Sequence, residues 1–486
     1  MSFTIQVYEL RDLQPSFSNH KSMKKSTYFL LAYLMLSTIA NAQVPELWGS
    51  MSIGGSFGVG GIFKINGDGT GYSLQYACSG STNGGSIQSN FIPFSQTLFY
   101  GTSVSGGTHA RGEIYSYQTQ THTFTSLFSM DTLPGYYPRG PICVTSSGKI
   151  YGMTNNGGIN DKGVMFEYNI ASNQYTKVHE FNVSDGQLPN GGVIQSTINN
   201  KIYGMTTSGG ANNLGVICSY NPQNGVFAVE HDFTFSDGCS SFGTLIQDNS
   251  GMMYGMTFGG GTGGYGVIFS FNPTNNNYTV IHNFTGSDGA APLGQLRLYN
   301  GMLYGVTSQG GTSNKGVIFS CQLSNNNYTK LYDFNGTNGS SPFGSVILAN
   351  DGKLYGMTLN GGINSLGVIY SLEPSTLTFT KIYDGAFATG GFPYADLIQY
   401  STATAIEENT ISEFKIYPNP SNGTFKIQHN ENVGEGEIII INSLGQTIAT
   451  YKIGEMGNEI KLDAAPGIYY YKTKVSNKIA GKIVVQ

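Results

Sequence analysis

Charge is scarce in this chain. Asp, Glu, Lys and Arg together make up 11% of its 486 residues and leave a net charge of −5. No lysine or arginine cluster follows the first segment, which argues against nucleic acid and anionic membrane as partners. Cysteine is also sparse: Cys78, Cys143, Cys218, Cys239 and Cys321 are odd in number, and none is spaced from another like a metal-ligand or redox pair. Cys218 stands where sister segments carry Phe269 and Phe319, which reads as a small buried hydrophobe rather than half of a disulfide. There is one tryptophan, and no stretch has the periodicity of a long helix. No nucleophile elbow, phosphate loop or zinc helix is present, so no cofactor and no metal site is expected. The run GGGTGG at 259–264 lacks the lysine and helix of a phosphate cradle.

What the chain has is glycine and aromatic rings. Sixty-eight glycines, 32 tyrosines and 28 phenylalanines describe a turn-rich β protein. An aromatic-glycine landmark recurs at Trp48, Tyr100, Tyr151, Tyr203, Tyr254, Tyr304 and Tyr355, at intervals of 52, 51, 52, 51, 50 and 51 residues. Each unit reads as four strands. In residues 293–334, LGQLRLY, MLYGVT, VIFSCQL and YTKLYDF are strands, separated by an NG turn, a glycine-rich loop and an SNNN turn. Four antiparallel strands per roughly fifty residues predict one blade of a β-propeller. The first unit lacks its first strand and the last unit is followed by an extra one, FPYADLIQY. Pairing these two orphans closes a ring of seven blades tail to head. The landmark tyrosine is expected to be an inward anchor, its glycine to let neighbouring backbone approach, and the later glycine pair to take positive φ.

The pattern LYGxTxxGGxxxxGVIF resembles the Gloeobacter/Verrucomicrobia tandem repeat of bacterial surface and secreted proteins, over about residues 46–385, and is similar to kelch propellers more distantly. The resemblance implies the architecture and no defined activity.

The ends differ from the middle. Residues 23–42 carry Lys24 and Lys25, an apolar run from Tyr28 to Leu36, and Ala40-Asn41-Ala42 before Gln43. That is the layout of a secretory signal, too short for a membrane span, with translation expected to start at Met23; a genuine long n-region is the other reading. The expected organisation is a leader at 1–42, a propeller at 43–400, a polar linker at 401–412 and a second domain at 413–486 that reads as a small Ig-like β-sandwich. No transmembrane span is expected in the mature protein.

This last domain resembles the type A sorting domain of the type IX secretion system of Bacteroidota. The residues that carry the resemblance are Tyr417-Pro418-Asn419-Pro420 with Gly423, the NSLGQ turn at 442–446, Gly467-Ile468-Tyr469, and Lys482-Ile483-Val484-Val485. It implies export to the periplasm, passage through the outer membrane by the type IX machinery acting on 413–486, and release or anchoring at the cell surface.

His179, His231 and His282 occupy equivalent places in successive units, and Tyr332 and Tyr383 occupy the same place later, so packing is expected rather than a shared metal. The Ser-Asp-Gly pieces at 184–186, 236–238 and 287–289 read as turns rather than calcium loops. The long second-to-third and fourth-to-first connections fall on one face of the ring, and their tips vary while the strands do not. Arg111, Tyr136, Tyr137, Arg139 and Tyr265 are the candidate ligand-binding residues there, for a glycan or a protein. A hydrolase or lyase acting on polysaccharide, with carboxylates drawn from different blades, and a structural envelope component are the alternatives.

Overall fold

The computed structural model describes residues 44–80 and 83–400. Of the C-terminal unit it describes 414–417, 421, 423–429, 437–442, 447–452, 460–462, 467–473 and 479–485. The expected signal segment, linker, Pro418-Asn419-Pro420 and the turn at 443–446 lie outside the described residues. The chain divides into two compact units, residues 1–400 and 401–486.

The first unit is seven four-stranded antiparallel sheets, the blades of a propeller. Blade 1 is completed from the far end of the unit. Strand Ile398–Gln399 pairs with Glu46–Met51, setting Leu47 opposite Gln399 and Trp48 opposite Ile398. Blades 2 to 7 follow in chain order, with second strands at Leu98–Ser103, Lys149–Thr154, Ile202–Met205, Met253–Thr257, Met302–Thr307 and Leu354–Thr358. The ring therefore has no open sheet edge at its seam, which is how such an array avoids edge-to-edge association.

The hydrophobic core is seven clusters, one between each pair of adjacent blades. Between blades 4 and 5, for example, Tyr203, Met205 and Ile217 meet Leu245, Met253, Phe269 and Phe271. An outer belt repeats the arrangement with stacked rings from neighbouring fourth strands. Phe128 lies on Tyr175 at 4.0 Å, His231 on Tyr278 at 4.2 Å and Tyr383 on Tyr72 at 4.2 Å. Each such pair contributes about 0.5–1.5 kcal/mol beyond its buried area.

Two local expectations need correction. The glycine after the landmark aromatic does not admit neighbouring backbone. A Cβ on Gly255 would lie 2.5 Å from Cζ of Phe269, the residue directly opposite on the third strand. The glycine makes room for a ring. In blade 4, where Cys218 replaces that ring, the methyl of Met153 from blade 3 fills the space, 2.8 Å from where a Gly204 Cβ would be. The first strands are also shorter than LGQLRLY suggested, only Arg297–Tyr299 in that blade. The residues before them run along the axis, where Gly140, Gly191, Gly243, Gly294, Gly344 and Ala395 succeed one another from blade to blade. A Cβ on Gly191 would come within 2.0 Å of the Gly243 carbonyl. That approach suits an axial ring and leaves no room for a longer ladder.

The second unit holds a three-stranded sheet (Phe414–Tyr417, Thr424–His429, Ile460–Lys461) and a four-stranded sheet (Thr447–Lys452, Glu437–Asn442, Gly467–Thr473, Ile479–Val485). Alternate residues Ile438 and Ile440, Tyr469 and Tyr471, and Ile483 and Val485 form one core with Phe425 and Leu462. Of the sorting-motif positions, Gly423 adopts φ +91°, and its carbonyl accepts the Leu462 N–H at 2.7 Å. Gly467 pairs with Val485, and Tyr470 with Lys482, on the two C-terminal strands. Tyr417 pairs with Lys426, and Tyr469 is buried.

Candidate functional site

The long connections do share one face, because each fourth-to-first connection is bridged to the second-to-third loop of the blade it enters. Tyr136 pairs with Asn156, Gln187 with Ser208, Ala290 with Gln309 and Ser340 with Asn360. A second backbone brace ties each connection to the loop of the blade it leaves. The N–H groups of Tyr137, Leu188, Ser240, Ala291, Ser341 and Phe392 donate to the carbonyls of Arg111, Lys162, Leu214, Tyr265, Lys315 and Leu366 at 2.8–3.0 Å. The donors all adopt positive φ, between 51° and 57°. The backbone of this face is thus the same around the ring, while the side chains it presents differ at every blade.

Three of the five candidate residues come together in the crevice between blades 2 and 3. The Arg111 guanidinium lies over the Tyr136 ring at 4.5 Å, and its Nε is 3.8 Å from Asp131. The Tyr136 hydroxyl donates to Asp161 at 3.0 Å, and Tyr137 packs edge-on against Tyr136 at 4.8 Å. Partial burial, then the bond to Asp161, raises the Tyr136 pKa. Arg139 is elsewhere, next to the axial ring at Gly140, with Nη1 donating to Gln88 at 3.2 Å. Tyr265 is also apart. It is 45% exposed and covers Gly286 between blades 5 and 6.

The axis carries a polar cluster that no motif signalled. Asp396, just before the closing strand, has a side chain only 3% exposed. Its Oδ2 accepts from Asn90 Nδ2 at 2.9 Å, Gln295 Nε2 at 2.6 Å and Arg297 Nη2 at 2.6 Å, and its Oδ1 accepts the Ser345 N–H at 2.5 Å. Its own N–H donates to Asn90 Oδ1 at 2.7 Å. One residue thus joins blades 1, 2, 6 and 7. Asn90, Gln295, Ser345 and Asp396 itself hold the same position of their blades, with Arg297 two residues on, and the residue type at that position varies, so no repeated pattern points to them.

The histidines stack as expected, His179 on Phe227 at 3.5 Å and His282 on Tyr328 at 3.9 Å. They also face the aspartates of the Ser-Asp-Gly turns. His282 Nε2 is 3.1 Å from Asp288, and His179 and His231 sit 3.2 and 3.3 Å from Asp185 and Asp237 in poorer alignment. Where tyrosine replaces histidine, the turn partner changes too: Tyr332 meets Asn338 and Tyr383 meets Thr389. Burial lowers the pKa of all three histidines, and the facing carboxylates oppose that shift. The same aspartates accept backbone N–H groups within their turns, from Asn182, Thr234 and Thr285. Among the described residues, no three His, Cys, Asp or Glu side chains converge as a metal site, and all five cysteines are free.

Comparison with known proteins agrees with this architecture. The Gloeobacter/Verrucomicrobia repeat matches at residues 35–218, 132–298 and 197–406, which together span most of the chain. The chain belongs to the Gloeobacter/Verrucomicrobia repeat family. A secretion system C-terminal sorting domain matches residues 415–486. The comparison with curated proteins gives no match. Among solved structures, the periplasmic gluconolactonase PpgL of Pseudomonas aeruginosa is similar with a TM-score of 0.53 at 14% identity, over 74% of this chain and 99% of that one. TolB of Acinetobacter baumannii matches with a TM-score of 0.39 at 11% identity, over 62% of this chain and 66% of that one. The first likeness shows the propeller fold and nothing of the chemistry. The sorting domain makes this repeat protein a type IX secretion cargo, delivered to the cell surface or the medium. No described helix is long and apolar enough to cross a membrane.

Proposed function

We propose that this protein is a secreted or surface-held binding module whose glycan or protein ligand docks on the face of long connections. The observation that carries the reading is the backbone brace repeated from blade to blade beneath side chains that vary. A constant frame with variable tips suits recognition, since rigid loops lose little entropy on binding. The crevice between blades 2 and 3 offers a guanidinium and two phenol rings, groups that stack on sugar rings or anchor a protein partner.

We prefer a binding role to a polysaccharide hydrolase or lyase acting at the axis. A catalytic acid needs hydrogen-bond reach to its substrate. The carboxylate at the axis, Asp396, is instead enclosed by four protein donors. Mature protein applied to a glycan array, and in parallel to intact cells and matrix proteins, tests this reading when bound polysaccharides are afterwards sized by chromatography. Retention without change in chain length is expected. Shortened products would establish the hydrolase or lyase instead.

A further inference from the structure

The crevices between blades share one backbone, so they can be compared position by position, and three of them are filled by their own side chains. Between blades 2 and 3, Tyr136 fills the space beneath Arg111 and bonds Asp161. Between blades 3 and 4, Gln187 Nε2 reaches Asn213 Oδ1 at 3.1 Å. Between blades 5 and 6, the Tyr265 ring closes over Gly286, within 3.2 Å of where a Cβ would stand.

Between blades 6 and 7 no aromatic ring stands at either filling position. Ser340 takes the place of Tyr136, Gly336 takes the place of Gly286, and Lys315 rather than a ring stands at the rim. The result is an open crevice of about 400 Å³, room for one sugar unit by the usual size of ligand sites.

Its lining is rich in donors and contains no acid. The Lys315 side chain is exposed and makes no ion pair or hydrogen bond among the described residues. The side chains of Ser340 and Asn360 have no partner there either; only their backbones are bridged.

One backbone donor has also been released. In the loops of blades 3, 4 and 6 the first glycine of the pair gives its N–H to an Asp or Asn four residues on: Gly157 to Asp161, Gly209 to Asn213 and Gly310 to Asn314, at 2.8–3.1 Å, whereas blades 2 and 5 carry Ala110 and Gly264 there. In blade 7 that residue is Ser365, whose shorter side chain makes no such bond, and the Gly361 N–H is left without a partner among the described residues. An ammonium, an amide and a backbone N–H line one polar crevice, and the adjacent carboxylate, Asp384, is already engaged by Lys381 and the Ile363 N–H; these are groups that hold an oxyanion.

We infer that the crevice between blades 6 and 7 is a subsite for the anionic group of an acidic sugar, a uronate carboxylate or a sulfate ester. The inference rests on the proposed binding face and specifies its ligand chemistry. Lys315 supplies the charge, Gly361 and Asn360 supply directed donors, and the hydroxyls of Ser340 and Ser365 face the sugar.

The test is calorimetric or NMR titration of the mature protein with galacturonic acid, galactose 6-sulfate and galactose. At least one acid is expected to bind about tenfold or more tightly than galactose, and to weaken as salt is added. Which acid binds separates carboxylate from sulfate. Ser365→Asn, which installs the residue that sister loops use to occupy the glycine N–H, should cut that affinity about tenfold with an unchanged melting temperature. Lys315→Ala should do the same, and Asn277→Ala, exposed on the opposite face, should leave the affinity intact. Galactose binding as tightly as both acids, or Ser365→Asn having no effect, would overturn the inference. An array positive for neutral glycans alone would also overturn it, while leaving the binding face in place.

Discussion

Glu113 shows how far a single residue can depart from its repeat. It stands where later blades carry Val164, Val216, Val267, Val317 and Val368, and it is fully buried. Its Oε1 is 3.5 Å from Ser103 Oγ, and Oε2 lacks a well-aligned partner among the described residues. Burial raises its pKa. A carboxyl shifted upward favours the fold when protonated, and that contribution is lost as pH rises through the folded-state value. Glu113→Val should therefore stabilise the protein by about 1–3 kcal/mol at neutral pH, and by less in mild acid. Denaturant melts at two pH values measure this; a gain equal at both would show that the carboxyl is not the cause. The histidines carry the opposite sign. Their lowered pKa values mean that neutral rings are favoured in the fold, so their contribution is present above the unfolded histidine pKa and lost as pH falls. Replacing His179, His231 and His282 together by tyrosine, the residue of blades 6 and 7, should flatten the loss of melting temperature between about pH 7.5 and pH 5. A slope unchanged by the triple substitution would assign acid sensitivity to other groups.

Elements were more legible than residues. Strand order, blade number and the orphan strand at each end could be read from a strict period and from turn residues, because insertion between copies is resisted by packing on both neighbours. The bulge on each fourth strand was not legible. Ile268 pairs with His282 but Phe269 with Val280, so Ile281 is skipped, and the same shift recurs in all seven blades. A bulge re-aims the side chains beyond it, and here the strand end beyond it carries the histidine and the residue that caps the glycine-pair loop. Asn283 Oδ1, for example, accepts the Thr262 N–H at 2.9 Å. No residue type marks such a shift, which shows only in the pairing. The closing strand is the element whose loss is felt farthest. A chain ended at Gly390 lacks the partner of Glu46–Met51 and the Asp396 cluster, and it should aggregate or melt at much lower temperature. Asp396→Ala alone, which strands Arg297 beside the axis, should cost about 3–5 kcal/mol in urea unfolding. An unchanged midpoint in either case would contradict closure through this segment.

The two units of the protein carry separate tasks. The sorting domain was legible because its motif residues are tied to backbone pairing, as at Gly423 and Gly467. Deleting 413–486 should leave folded propeller in the periplasm, detected by fractionation; surface display of the shortened chain would contradict the sorting role. The proposed binding face was legible only as a face. Which candidates meet depends on the blades their loops belong to, so Arg111, Tyr136 and Tyr137 converge while Arg139 turns to the axis and Tyr265 sits three blades further on. If recognition belongs to this face, binding by paired variants will reveal it. With whatever ligand the array yields, Arg111→Ala with Tyr136→Ala and Lys315→Ala with Ser340→Tyr are the test pairs. The control is Asn277→Ala with Asn327→Ala on the opposite face, where both side chains are exposed. At least one test pair should weaken binding about tenfold or more at an unchanged melting temperature, while the control binds as the parent does. Binding lost in the control and kept in both test pairs would place the ligand on the face of short turns and refute recognition by the long connections.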